Sequence, residues 1–230
     1  MKAEKILSLI EKAINHDGTR AEFSELCEWC KRNNKNGVDS EIFEKFGLRE
    51  AARFALAVLY TEAEKEYNDE QAKTAGKLQT KRAAEKIIKD APKYWNAGAI
   101  PTSGGRYIFS NSYYGMRITE KFDFPEWKNA PDINRFLEQA KQNCGERLTA
   151  PSAAELKNLI RQAKAAKQKP YYDFGDGLPM VNAEYLLTLV QGLGDVTITA
   201  AANKTETSAL YLNSNIGDAI LMPTHKSSKA

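Results

Sequence analysis

Cys27 and Cys30 form a Cys-x-x-Cys, a spacing that lets two thiols pair or supplies half of a zinc site. Completing such a site would need partners, yet the one other cysteine is Cys144 and the histidines are His16 and His225. With Phe23 and Leu26, the two cysteines fall at i, i+3, i+4 and i+7. They therefore read as small hydrophobes on the buried face of a helix. Asp173 and Asp176 in "YDFGDG" suggest a cation loop, but no acid follows at the third or fifth position of a calcium loop counted from either, and a tight turn is the simpler reading. "TSGGR" lacks the Gly-Lys-Ser/Thr ending of a phosphate loop, so it reads as a turn entering a hairpin. Neither histidine adjoins a nucleophile and no ordered carboxylate pair stands out. The expectation is a protein that is not an enzyme, with no cofactor and no metal.

Recognition is the other chemistry on offer. Lys77, Lys81, Arg82, Lys86 and Lys89 crowd one stretch, and Lys157, Arg161, Lys164 and Lys167 follow one another at spacings of 4, 3 and 3. That spacing keeps cations on one side of a helix, either as a solvated face or as a row for phosphates. Tyr107, Phe109, Tyr113 and Tyr114 lie close to Arg106 and Arg117. Such a cluster can stack the bases of a single strand, although alternation along a hairpin sends about half of it into a core. The whole chain carries only +3 at pH 7, so any electrostatic attraction has to be local.

Two groups of elements must position these residues. "AEKILSLIEKAI" carries a broad apolar face, and Thr19 and Glu22 have capping-box spacing before a second helix. A third element begins near Ser40, and "LREAARFALAVLYTEAEKEY" runs an apolar stripe through Phe54, Leu56, Val58 and Leu59. Residues 1–75 therefore read as a helical bundle, separated by the polar "NDEQAKTAGK" from a second domain, 76–230. In that domain "TKRAAEKIIKDAPKYW" reads as a helix stopped before Pro92, and "GGRYIFSNSYYGMRI" as a hairpin. Residues 119–150 show no firm pattern beyond a helix at "DINRFLEQAKQ". Ser152 caps a helix over 152–169, with Leu156, Leu159 and Ile160 as its apolar side, and "PYYDFGDGLPMV" reads as strand and turn.

The last 50 residues are the most regular. Asn182 is a good N-cap, Glu184 suits the first turn, and Ala183, Leu186, Leu187, Val190 and Leu193 form a stripe that Gly194 closes. "VTITAAA", "SALYLNS" and "DAILMPT" then make an antiparallel meander. Asn182, Tyr185 and Leu186, with the terminal Leu221, Met222 and Pro223, give 165–225 a resemblance to the last repeat of the bacterial sliding clamp, the beta subunit of DNA polymerase III. The hairpin over 104–118 is also similar to one of that family's hairpins.

That resemblance implies an α+β processivity fold of helix-plus-meander repeats, with inner helices near 79–90 and 182–193 facing DNA. It implies duplex DNA as a partner, contacted through Lys77, Lys81, Arg82, Lys86, Lys89, Lys157, Arg161 and Lys164, in replication or a mobile element. It also implies that Leu221, Met222 and Pro223 line a pocket for short peptides of polymerases and repair proteins. The chain has room for one such domain, so a ring would require a homo-oligomer. The alternative is a protein-interaction adaptor that uses the same fold as a scaffold without DNA. No run of about 18 apolar residues occurs, and the charged, interrupted N-terminus is unlike a signal peptide. A cytoplasmic protein without membrane contact is expected, and an odd number of cysteines suits reducing conditions.

Overall fold

The computed structural model describes residues 63–203 and 207–224, together with 5, 8, 9, 11, 12, 19, 21, 22, 25, 60 and 61. The chain divides into two compact units, Met1–Leu78 and Gln79–Ala230. In the first, residues 63–74 are helical. The capping box is present there: Thr19 N–H donates to Glu22 Oε2 at 2.8 Å, and Glu22 N–H donates to Thr19 Oγ1 at 3.3 Å. Lys12 and then Thr19 hold the Glu22 carboxyl down at about 2. Cys27, Cys30, the element near Ser40 and the stripe from Phe54 to Leu59 lie outside the described residues, as does most of the expected bundle.

The second unit mixes helices with antiparallel sheet. Its elements run α1 (Leu78–Asp90), a 3-10 turn (Lys93–Trp95), β1 (Ile100–Pro101), β2 (Tyr107–Ser110), β3 (Tyr114–Ile118), α2 (Ile133–Gln142) and β4 (Cys144–Leu148). There follow α3 (Ala153–Ala165), β5 (Tyr171–Asp173), β6 (Met180–Asn182), α4 (Ala183–Leu193), β7 (Thr197–Ala201), β8 (Leu210–Asn213) and β9 (Gly217–Leu221). β5 and β6 pair alone, while the other seven form one sheet in the order β1-β2-β3-β9-β8-β7-β4. Two three-strand meanders, each preceded in the chain by a helix, thus meet at their last strands. Met116 lies opposite Ala219 at the middle of that antiparallel seam. β4 adds an edge strand that the sequence pattern did not reveal, and its register on β7 shifts between Cys144 and Arg147.

Alternation along the strands sorts side chains to two faces. Phe109, Met116, Ile198, Leu212, Ala219 and Leu221 join Ala83 and Ile87 of α1, Leu156 of α3 and Leu186 and Leu189 of α4 in the main core. Ile108 and Ile220 point the other way and meet Leu137 of α2. Because helices cover both faces, every residue of β3 and β9 is buried. At the crossing of α1 and α4, a Cβ on Gly192 would come within 2.5 Å of Ala83 Cβ, and Thr80 Oγ1 donates to the Gly192 carbonyl at 2.8 Å.

Local signals fix the helix ends. Ser152 and Glu155 form a reciprocal capping box on α3, and Asn182 Oδ1 accepts from Glu184 N–H at 2.8 Å to start α4. Gly194 ends it at φ 74°, a left-handed geometry glycine adopts without a Cβ clash. The buried side of α4 is Ala183, Leu186, Leu189 and Leu193, whereas Leu187 and Val190 of the expected stripe are half-buried. No helix among the described residues is long and apolar enough to cross a membrane.

Candidate functional site

The helical face carries the cations. Arg82, Lys86 and Lys89 of α1 are exposed, as are Lys157, Arg161 and Lys164 of α3. Both triplets repeat at spacings of 4 and 3, so each makes one row along its helix. Their helices pack against the same side of the sheet, and α4 touches both. Lys164 Nζ ion-pairs with Glu184 Oε1 at 2.9 Å, and Arg161 donates to Asn158 Oδ1 at 2.9 Å. Lys81 departs from the expected exposed row: it is 4% exposed, with its Nζ 3.9 Å from Glu85 Oε1. Lys77 is exposed and belongs to the first unit.

The aromatic cluster separates by position, with its strand residues on the main-core face and Tyr113 in the turn between the strands. Phe109 and Tyr114 are core residues and Tyr107 is half-buried, which leaves Tyr113 as the exposed ring at 57%. A column of near-parallel rings forms around Tyr185, a residue not grouped with the cluster from sequence. Its centroid lies 4.4 Å from Tyr114 at 16° and 5.9 Å from Tyr113 at 21°. Tyr114 Oη donates to Asp90 Oδ2 at 2.9 Å. Burial and then Asp90 push the Tyr114 phenol well above its ordinary range. At the hairpin tip Asn111 Oδ1 accepts from the N–H groups of Tyr113 and Tyr114, and Met222 N–H donates to the Tyr113 carbonyl.

Arg117, expected beside a stacking platform, is buried in an ion pair instead. Its Nε donates to Asp218 Oδ1 at 2.9 Å and a second nitrogen donates to Asp218 Oδ2. Asn134 and Glu138 of α2 accept from the remaining nitrogen. Tyr211 Oη donates to Asp218 Oδ2 at 2.9 Å, and Arg106 lies 3.9 Å from the same carboxylate. Asp218 holds the Arg117 guanidinium above its usual range. Two lone charges of opposite sign inside apolar strands, "YGMRI" and "GDAIL", were the available signal for this pair.

The three terminal residues expected to line one pocket do not share a face. Leu221 is 0% exposed in the main core, while Met222 is 42% exposed on the opposite side. Thr224 N–H and Oγ1 both donate to the Met180 carbonyl and tie down the chain beyond half-buried Pro223. Met222 borders a groove of about 410 Å³ between α2 and strands β7 to β9. Phe136, 54% exposed, lies on the same groove with Ala140, Ala209, Tyr211 and Ile220. Among the described residues no lysine, arginine, aspartate or glutamate lines it. Phe136 was not anticipated, because nothing in α2 alone reveals which strands it faces.

Among the described residues no group of three or more His, Cys, Asp and Glu could hold a metal ion. Asp173 Oδ1 accepts from Gly175 N–H at 3.0 Å, a local turn bond. Compared with known proteins, the chain matches no family model, no curated protein and no solved structure.

Proposed function

We propose that this chain is a non-enzymatic, clamp-like protein that associates with duplex DNA by phosphate contacts. The observation that carries the reading is the matched pair of exposed cation rows, Arg82, Lys86 and Lys89 on α1 and Lys157 and Arg161 on α3, on one side of the sheet. Two helix-plus-three-strand halves with both helices on that side support the clamp-like description. Binding would act through shape and charge, without base readout. If all five cations meet phosphates, the logarithm of the affinity should fall against log salt with a slope of about −4.5. Reversing Arg82, Lys86, Lys157 and Arg161 to Glu should abolish duplex binding and leave the melting temperature unchanged. Absence of duplex binding by the wild type at low salt overturns the reading.

The groove favours a second reading, a protein-interaction adaptor. Its volume lies within the range of small binding pockets, roughly 300–1,000 Å³, and two exposed apolar side chains, Phe136 and Met222, sit on it. The apolar side chains of Phe136, Ala140, Ile220 and Met222 on it suit those of a short peptide, such as one from a polymerase or another replication protein. Under this reading Phe136→Glu and Met222→Glu would abolish partner capture without changing duplex binding.

A further inference from the structure

We propose that Tyr113 is a stacking platform for an unpaired nucleobase, so that the nucleic acid preferred by this protein carries a single-stranded segment. This deepens the DNA reading and rests on it for the supply of phosphate contacts. Tyr113 is 57% exposed, with ring and backbone contacts that fix its position. Tyr185 stacks beneath it, and Tyr185 in turn stacks on Tyr114, which is buried and anchored to Asp90. The Tyr113 backbone is held at both ends, its N–H by Asn111 Oδ1 at 2.8 Å and its carbonyl by Met222 N–H at 2.9 Å. Little freedom is left to lose when a planar group settles on the open end of this column.

Local charge selects the kind of planar group. The carboxylates nearest the column are both engaged: Glu184 pairs with Lys164, and Asp90 accepts from Tyr114. The column thus offers a neutral ring a stacking surface more than it offers a cation an unpaired acid. Tyr185 stands in the first turn of α4, beside Glu184, which joins α4 to the cation row of α3. A strand whose phosphates follow Lys157 and Arg161 therefore has an aromatic end point on the same helical side. Bases inside a duplex present edges and no free face, so the base on Tyr113 belongs to an unpaired stretch.

The test uses the full chain and fluorescein-labelled oligonucleotides read by anisotropy at fixed salt. The probes are a blunt duplex, the same duplex with a thymidine tail, the same tail made abasic, and a free oligothymidylate with its abasic counterpart. Wild type should bind thymidine-bearing probes roughly 10-fold more tightly than abasic ones, the gain expected of one stacked base. Tyr113→Ala should remove that gain and Tyr113→Phe should retain it, with the blunt-duplex affinity the same in all three. Equal binding of thymidine and abasic probes by wild type overturns the inference, even if the blunt duplex binds. Thymidine-dependent, Tyr113-dependent binding of the free oligomer with no duplex binding upholds it and defeats the duplex reading. Tyr113-dependent binding of a lysine-rich peptide, with no preference for thymidine, would also overturn it.

Discussion

At the scale of single residues, parity and partners decide what a side chain can do. Leu221 and Met222 are neighbours in sequence, yet a strand turns them to opposite faces of the sheet, one into the core and one onto the groove. Arg117 looks like a surface cation in the sequence, and its burial is tolerable because Asp218, Glu138 and Asn134 satisfy the guanidinium. Replacing Asp218 with Ala would strip that charge of its main partner and leave the Tyr211 hydroxyl without its acceptor. The expected loss is about 3 kcal/mol of unfolding free energy, read from chemical denaturation. Arg117→Met with Asp218→Leu should recover most of it, and a double variant no more stable than Asp218→Ala would show that the ion pair itself was needed.

Helix ends and crossings are where element-scale predictions belong. Ser152→Ala removes the acceptor for Glu155 N–H and should cost about 1 kcal/mol, measured by thermal unfolding. The Ser152 N–H and hydroxyl hold the Glu155 carboxyl below its ordinary 4.5. A carboxyl lowered on folding stabilises above its unfolded value. Its contribution is present at neutral pH and is lost as pH falls from 4.5 through the depressed folded value. In the Ser152→Ala variant that part of the acid dependence should shrink without disappearing, because residue 152 keeps the backbone N–H that donates to the Glu155 carboxylate and loses only the hydroxyl. At the crossing of α1 and α4, Gly192→Val would drive its side chain into Ala83 and should cost about 1–3 kcal/mol. Ala83→Gly in the same chain should relieve part of the clash, so the pair would be non-additive in denaturant titrations.

For the molecule as a whole, the seam between β3 and β9 makes one sheet from two meanders. A Cβ on Gly217 would stand 2.2 Å from the Arg117 carbonyl oxygen, which is backbone and cannot move aside alone. Gly217→Ala should therefore lower hydrogen-exchange protection in β2 and β3 as well as in β8 and β9. Loss confined to β8 and β9 would mean that the halves hold their structure independently. The duplex and thymidine-tail measurements belong to this scale too, since both need α1, α3 and α4 carried on one side of the same sheet.

Local order was legible in the sequence: Ser152 and Asn182 as caps, Gly194 as a stop, the hairpin over 104–118, and the meander that ends at Leu221. These features depend on neighbours a few residues apart, through caps, turn chemistry and alternation. Pairings across long stretches of chain were decided by the tertiary structure. It joined β3 to β9, set β4 on the sheet edge, stacked Tyr185 of α4 on the hairpin tyrosines, and placed α2 over Ile108 and Ile220. Lys81 illustrates the reason: its type and spacing match those of exposed cations, and only the packing around it decides its burial. Composition and period constrain which face is apolar, while the partner of that face is a contact at long separation that no local pattern encodes.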